Sequence, residues 1–500
     1  MVEKIQNLDT CLSIRGEHLF VEGCDTFSLV KQYGSPIFVF SENQLRQNVR
    51  EFISSFSAGW PNGPIKLLPA AKANWIAAIQ RILVSEGCGC DVYSPGELSV
   101  ALKAGIEPQY ISVNGSPKDF EHVKHAISVG ARITIDSTEE TEMIQAAVQE
   151  LGCTAKVRLR IKPILANFTE NSDFVAEGLV PADIAALTYK GGLTYEQLLP
   201  IAKKLQDVPG VEVVGFHQHH GRHDPSLRYW QQQMREYARE IGRVCAALGG
   251  LKPKEIDIGG GFAIPRDPFN AATDYTAPFQ FSALFLFSKL LKLFGNSFRY
   301  RTIDKLVNFF VSEPNKNLAP SIADYAQVCT RTLREELQKN RIDTQGVMLQ
   351  IEPGRSLHGN SGIHLTTVKA IKKIEKPIRW QTVIVDTTEF WFTGGRYEHH
   401  LHDYVVANKA TVPQTSKADI IGRSCYGDRI LPLVKIPELA VGDVIALLDT
   451  GAYQEMSMSN FNALPRPGSV LVCGNQVDII RKPEAAADVF CRDVIPERFQ

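Results

Sequence analysis

Five hundred residues with 44% apolar side chains and a formal net charge of −1 can bury a large core and show no basic excess for nucleic acid. No apolar run reaches the roughly eighteen residues of a membrane span, and Met1-Val2-Glu3-Lys4-Ile5-Gln6 lacks a signal-peptide pattern, so a cytoplasmic protein without membrane or nucleic-acid partners is expected. Ten cysteines scattered from Cys11 to Cys491 include no CxxC pair, which leaves reduced thiols as the expectation.

In chain order, residues 10–40 read as short strands and turns: Cys11 to Ile14, His18 to Val21, and Ile37 to Phe40 after Gly34-Ser35-Pro36. Ser41 then caps a helix whose apolar positions are Leu45, Val49, Phe52, Ile53 and Phe56. From there the pattern alternates. Strand-length apolar runs occur at Ile65 to Ala71, Cys90 to Ser94, Ile111 to Val113, Arg132 to Asp136, Lys156 to Ile161, Val213 to His219, Glu255 to Ile258 and Val347 to Ile351. Amphipathic segments such as Asn74 to Glu86, Pro95 to Lys103, Thr194 to Leu205, Leu227 to Leu248 and Ser321 to Gln338 lie between them.

Eight strands alternating with helices predict an α/β fold, a (β/α)8 TIM barrel over residues 41–364. An insertion at about 267–318 carries Phe279, Phe281, Phe285, Phe287, Leu290, Leu291 and Phe294 and reads as core, subunit contact or lid, with no chemistry assigned. After about residue 365 only strands and turns follow, as in Thr382 to Asp386, Ile430 to Val434, Asp443 to Leu448 and Ser469 to Val472. Residues 1–40 and 365–500 are thus expected to build a β-barrel or sandwich from both chain ends.

A barrel enzyme carries its site at the carboxyl ends of its strands. There the sequence places Lys72, Asp91 with Ser94 and Glu97, Arg160, His217-Gln218-His219-His220-Gly221, Gly259-Gly260-Gly261 and Glu352-Pro353-Gly354-Arg355. The triple glycine strips side chains from a strand end and lets backbone N–H groups meet an anion such as a phosphate, with Arg355 beside it. Lys72, with only Ala70, Ala71 and Ala73 around it, is suited to a Schiff base, since desolvation frees an amine's lone pair. A lysine, a phosphate cradle, an acid and a histidine at one mouth point to pyridoxal 5'-phosphate. Lys72 would form the aldimine, Glu352 would face the pyridine nitrogen, and His219 would lie against the ring. Taken singly, each has a plainer reading: a snorkelling lysine, a Glu352–Arg355 ion pair, a core histidine.

Lys72-Ala73-Asn74, Gly215-Phe216-His217-Gln218-His219-His220-Gly221, Asp257-Ile258-Gly259-Gly260-Gly261, Glu352-Pro353-Gly354-Arg355 and Asp449-Thr450-Gly451-Ala452-Tyr453 follow one another in an order that resembles a known family. It is the fold-type III pyridoxal-phosphate decarboxylases, which act on diaminopimelate, ornithine or arginine, and the pattern is most similar to the diaminopimelate decarboxylase-like members. The resemblance covers almost the whole chain. It implies an alanine racemase-like barrel with a β-domain, and a homodimer with shared active sites. It also implies Lys72 as Schiff-base residue, His219 on the cofactor face, Glu352 at the ring nitrogen, and Gly259, Gly260, Gly261, Arg355 and Tyr453 at the phosphate. Cys425, in Gly422-Arg423-Ser424-Cys425, resembles the family's proton-donating cysteine.

Three positions depart from the pattern. Arg222 stands where a serine is usual, Tyr426 replaces the acid after the cysteine with Asp428 two residues on, and Gly395-Arg396-Tyr397 with His399, His400 and His402 stands roughly where the family has its substrate segment. Arg160, Arg396, Tyr426 and Asp428 are therefore the candidate substrate contacts. The expected reaction is α-decarboxylation of an amino acid with a polar distal group, diaminopimelate-like or diamino, through a quinonoid protonated by Cys425 or Lys72. Alternatives are a D-amino acid, carrier-bound or natural-product substrate, a metal-dependent barrel hydrolase using His217-x-His219, and a decarboxylase-like regulator without activity.

Overall fold

The computed structural model describes residues 9–165, 168–172, 178–219, 225–264, 286–309, 319–392 and 402–499. The chain divides into two compact units, Leu45–Phe269 with Asn317–His358, and Met1–Gln44 with Asn270–Lys316 and Gly359–Gln500.

The first unit is a nearly closed barrel of eight parallel strands: Ile65–Leu67, Cys90–Val92, Ile111–Val113, Arg132–Ile135, Ala155–Arg160, Val211–His217, Glu255–Asp257 and Met348–Ile351. Hydrogen bonding runs from the first strand to the eighth and back down through the seventh to the second. One further parallel bridge, Ala70 to Asp91, brings the first and second strands together. Each apolar run of the sequence supplies one of these strands. The third and seventh are buried at every position, as strands covered on both faces must be. The sixth carries a bulge between Val213 and Gly215, and a Cβ on Gly215 would stand 1.8 Å from the Glu255 carbonyl oxygen. Only glycine allows that approach.

Helices begin where their sequence signals say they should. Ser94 accepts from Glu97 N–H at 3.2 Å with Pro95 behind it, and Pro95–Ala104 ends on Gly105 at φ +88°. Thr194 and Ser321 form capping boxes for Tyr195–Gln206 and Ile322–Lys339. Trp230 stacks on Phe262 at 4.5 Å, and Phe52, Phe56 and Tyr325 complete a buried aromatic layer outside the strands.

In the second unit Ile37–Ser41 lies between Gly362–Ile374 and Gly468–Cys473, the two pairings antiparallel and parallel. Trp380–Val385, Ser416–Ile421 and Arg429–Ile436 extend one side of the sheet, and Gln476–Arg481 the other. Val444–Leu447 and Tyr404–Val406 complete its nine strands. A three-stranded sheet, Leu12–Arg15, His18–Val21 and Cys24–Asp25, adds Leu12, Leu19 and Val21 to a core with Val39, Leu365, Val444 and Val472. Residue 365 lies inside the thirteen-residue strand Gly362–Ile374, whose first seven positions are all buried and so show no alternation in sequence. Residues 270–316 group with this unit, although they are inserted between the seventh and eighth barrel strands.

Candidate active site

Glu352 follows directly on the eighth strand and is 4% exposed. Its Oε1 accepts from Asn114 Nδ2 at 2.6 Å and Ser112 Oγ at 3.1 Å, and its Oε2 lies 3.1 Å from His217 Nε2. Ser112 belongs to the third strand, Asn114 follows it, and His217 ends the sixth. Asn114 spends its second amide hydrogen on Asp91 Oδ1 at 2.7 Å, so one side chain holds two carboxylates. Burial presses the His217 imidazole down to about 3. The ring is then neutral, and with Glu352 as acceptor the proton sits on Nε2.

Beneath this layer the fully buried Arg158 of the fifth strand donates to Asp257 Oδ2 at 2.7 Å and to Thr134 Oγ1 at 3.2 Å, and also bonds Gln350 and Ser112. Burial first, then the Glu352 charge, lift the Asp257 carboxyl to about 7 against the pull of Arg158. Asp257 Oδ1 accepts from Gly259 N–H at 2.9 Å. His217, Asp257 and Glu352 thus offer atoms within 4.8 Å of one another, and the carboxylate oxygens of both acids are engaged in these hydrogen bonds. His217 bonds Glu352 and stands close to Asp257.

The triple glycine makes a tight turn after the seventh strand, and two of its amides are engaged within the chain, Gly259 N–H by Asp257 Oδ1 and Gly260 N–H by His219 Nδ1. Gly259 and Gly261 have φ of +68° and +99°, and a Cβ on Gly260 would lie 2.0 Å from the Glu352 carbonyl oxygen. Gly260 N–H donates to Nδ1 of the half-buried His219 at 3.1 Å, so that amide fixes the imidazole. The backbone therefore forms a cradle that any side chain would fill. It lies against Glu352 and His219, with the 1%-exposed Arg355 at the start of the next turn. An anionic group joined to a ring with a basic nitrogen suits this donor set.

Lys72 differs from the sequence expectation. The first strand stops at Leu67, isolated bonds continue through Asp91 N–H to Pro69 O at 3.2 Å and Ala70 N–H to Pro353 O at 3.1 Å, and Lys72 then stands exposed on the short turn Ala71–Ala73. It is not a desolvated strand-end amine in this structure. Its charge reaches Asp91 and Glu97. Burial, then Glu352, raise Asp91 well above the usual carboxylate range, while Lys72 and the Asn114 hydrogen bond oppose the rise. Glu97 is raised by burial and held back by Tyr93 N–H and by Lys72. Arg160, 5% exposed, donates to Asp136 Oδ2 at 2.6 Å.

The remaining candidates lie in the second unit. Cys425 is exposed, its N–H donates to Asn462 Oδ1 at 2.9 Å, and Asn462 Nδ2 lies 3.2 Å from its Sγ. Tyr426 is 54% exposed and meets Phe390 edge to face, while Phe390 stacks on Phe461 at 4.1 Å. Asp428 is 1% exposed and accepts from Thr388 Oγ1, Glu389 N–H and Ser424 N–H at 3.0, 2.6 and 2.7 Å, so it organises the Cys425 loop. Tyr453 takes φ +68° before the turn Gln454–Ser457. Arg222 and Arg396 lie outside the described residues. Sequence reading did not select Ser112, Asn114, Arg158 or Asp257 as site residues, although each is a polar residue in or beside a short strand inside a barrel, where apolar side chains are the rule.

The description "Pyridoxal-dependent decarboxylase, pyridoxal binding domain" fits residues 43–280. The chain is 27% identical to diaminopimelate decarboxylase of Methanothermobacter thermautotrophicus, over 96% of each chain, and 28% identical to that of Zymomonas mobilis, over 95% of this chain and 97% of the other. The crystal structure of the Methanocaldococcus jannaschii diaminopimelate decarboxylase superposes with a TM-score of 0.79 at 25% identity, covering 98% of this chain and 99% of that one. The Helicobacter pylori enzyme, solved with L-lysine, gives 0.72 at 23% identity, covering 93% and 98%. With its ordered motifs and its barrel, the chain is similar along almost its whole length to the fold-type III pyridoxal-phosphate-dependent amino-acid decarboxylases.

Proposed function

We propose that the chain removes the α-carboxylate of a diaminopimelate-like or other diamino acid with pyridoxal 5'-phosphate as cofactor, acting as a homodimer. The observation that carries this reading is the buried Glu352 carboxylate, held by Ser112, Asn114 and His217 beside a glycine cradle. The relatives named diaminopimelate decarboxylase support the substrate class, as do the neighbours solved with L-lysine, the compound diaminopimelate becomes when one carboxylate leaves.

In this reading Lys72 holds the cofactor at its aldehyde carbon, Glu352 keeps a proton on the ring nitrogen, and His219 covers one ring face. Gly259, Gly260, Gly261, Arg355 and Tyr453 hold the phosphate. When bound, the cofactor supplies an electron-poor ring that takes up the electron pair left by carbon dioxide. Lys72, or Cys425 of the partner subunit, then returns a proton to the α-carbon. Arg160, Arg396 and Tyr426 are the residues assigned to recognition of the distal group. Tyr426, with Phe390 and Phe461 beside it, puts an aromatic cluster where the family has an acid. That observation favours a second reading in which the distal group carries no cationic amine, as in a carrier-bound or natural-product substrate.

Carbon dioxide release from a panel containing meso-diaminopimelate, lysine, ornithine, arginine and D-amino acids separates these readings. The parent protein is expected to show a visible absorption band that Lys72→Ala removes together with activity. A band that survives in Lys72→Ala overturns the assignment of that lysine.

A further inference from the structure

The aromatic-rich insertion has no part in this chemistry. Residues 286–291 form a helix continued by the turn Lys292–Phe294, and after Gly295 the helix Asn296–Phe309 follows. One face of the pair is settled. Leu291, Ile303 and Val307 are buried against Leu433, with Leu306, Ile378 and Trp380 packed around them. Arg299 Nε donates to Ser288 Oγ at 2.8 Å, and Arg379 grips Asp304 at 3.0 Å.

The other face is exposed among the described residues. Leu286, Phe287, Leu290, Leu293, Phe294 and Phe298 are 66, 45, 60, 82, 72 and 45% exposed. Phe287, Leu290 and Phe294 follow helical spacing, and the Phe294–Phe298 ring contact at 5.8 Å carries the apolar surface across Gly295. Exposed Lys289 and Lys292 flank it, and exposed Arg301 and Lys305 lie on the second helix. From residue 286 to 309 there are five basic residues against the single acid Asp304, in a chain whose net charge is −1.

We propose that this helical pair is a peripheral membrane contact. Its Phe and Leu face enters the headgroup boundary of an anionic phospholipid surface, and the lysines and arginines beside it meet lipid phosphates. The charge decides the occupant. A second copy seated symmetrically on this face would bring like charges together, whereas an anionic surface is complementary. Large apolar side chains on one side with a basic flank are the composition of helices that lie in the interface plane. Among the described residues no helix is long and apolar enough to cross a membrane, so the contact is superficial.

The test is flotation of the full-length holoenzyme with vesicles of phosphatidylglycerol and phosphatidylcholine, against vesicles of phosphatidylcholine alone. Binding to the anionic vesicles is expected to be at least about ten-fold stronger, and to fall about ten-fold or more in Phe287→Ser/Phe294→Ser and, separately, in Lys289→Glu/Lys292→Glu. All four positions are exposed, so both variants should keep the parent's circular dichroism and activity. Absence of binding to anionic vesicles overturns the proposal, as does binding that neither variant weakens. Sedimentation showing that Phe287→Ser/Phe294→Ser dissociates an oligomer assigns the face to a second copy and also overturns it.

Discussion

The barrel interior around Arg158 and the loop around Cys425 both carry candidate chemistry, yet they are built in opposite ways. In the barrel, Arg158, Asp257, Glu352, His217, Ser112 and Asn114 are almost wholly buried and each touches two or more of the others or their neighbours. Around Cys425 the thiol is exposed, one asparagine holds it, and Tyr426 lies open. A buried network fixes geometry because every lost bond leaves a desolvated polar group behind. An exposed loop can change its side chains cheaply. Such a loop is where substrate preference can change at the least cost in stability.

The contrast is tested most strongly by Arg158→Met, which leaves Asp257 buried without its cation. It should cost about 3–5 kcal/mol, read as a fall in denaturant midpoint. A variant as stable as the parent would break the contrast. Cys425→Ala should slow turnover by about 100-fold while leaving stability within about 0.5 kcal/mol; equal losses in both would place the cysteine in the scaffold.

Acid sharpens the comparison from another side. His364 is fully buried in the sheet unit, near Thr387 Oγ1 at 2.9 Å, and burial lowers it to about 3. Its folded value lies below the ordinary 6.5, so the unfolded chain binds the extra proton, and its contribution is lost as pH falls from 6.5 toward 3. Between pH 6.5 and 5 that amounts to about 2 kcal/mol, and His364→Leu should flatten the pH dependence of stability accordingly. In the barrel His217 acts in the same sense, while Asp257, raised to about 7, acts oppositely and favours the fold below that pH. Asn462→Ala should have the smallest effect, about 1 kcal/mol, with a measurable change in the alkylation rate of Cys425 as its signature.

The barrel was legible because its strands are apolar runs separated by amphipathic helices, and because the glycines and Glu352 fall at strand ends. The shape of the first strand end was not. The strand stops at Leu67, four residues before the end of the run Ile65 to Ala71, and Lys72 falls on the exposed turn Ala71–Ala73 that follows. The polar interior escaped for a different reason. Arg158 and Asp257 look in sequence like ordinary strand polar residues, and only barrel closure reveals that both face inward. In the second unit, Gly362–Ile374 was hidden because a strand buried at seven consecutive positions has no period to detect.

The place of Ile37–Ser41 between Gly362–Ile374 and Gly468–Cys473 bears on how the protein is made. A ribosome finishes the whole barrel sequence, through His358, before either neighbour of that early strand is complete. The barrel's contacts close within its own stretch of chain, whereas Ile37–Ser41 waits for partners more than three hundred residues downstream in the case of Gly362–Ile374 and more than four hundred for Gly468–Cys473. During synthesis a strand that is fully buried in the finished fold, apolar at all but Ser41, therefore stays unpaired while the barrel is free to fold.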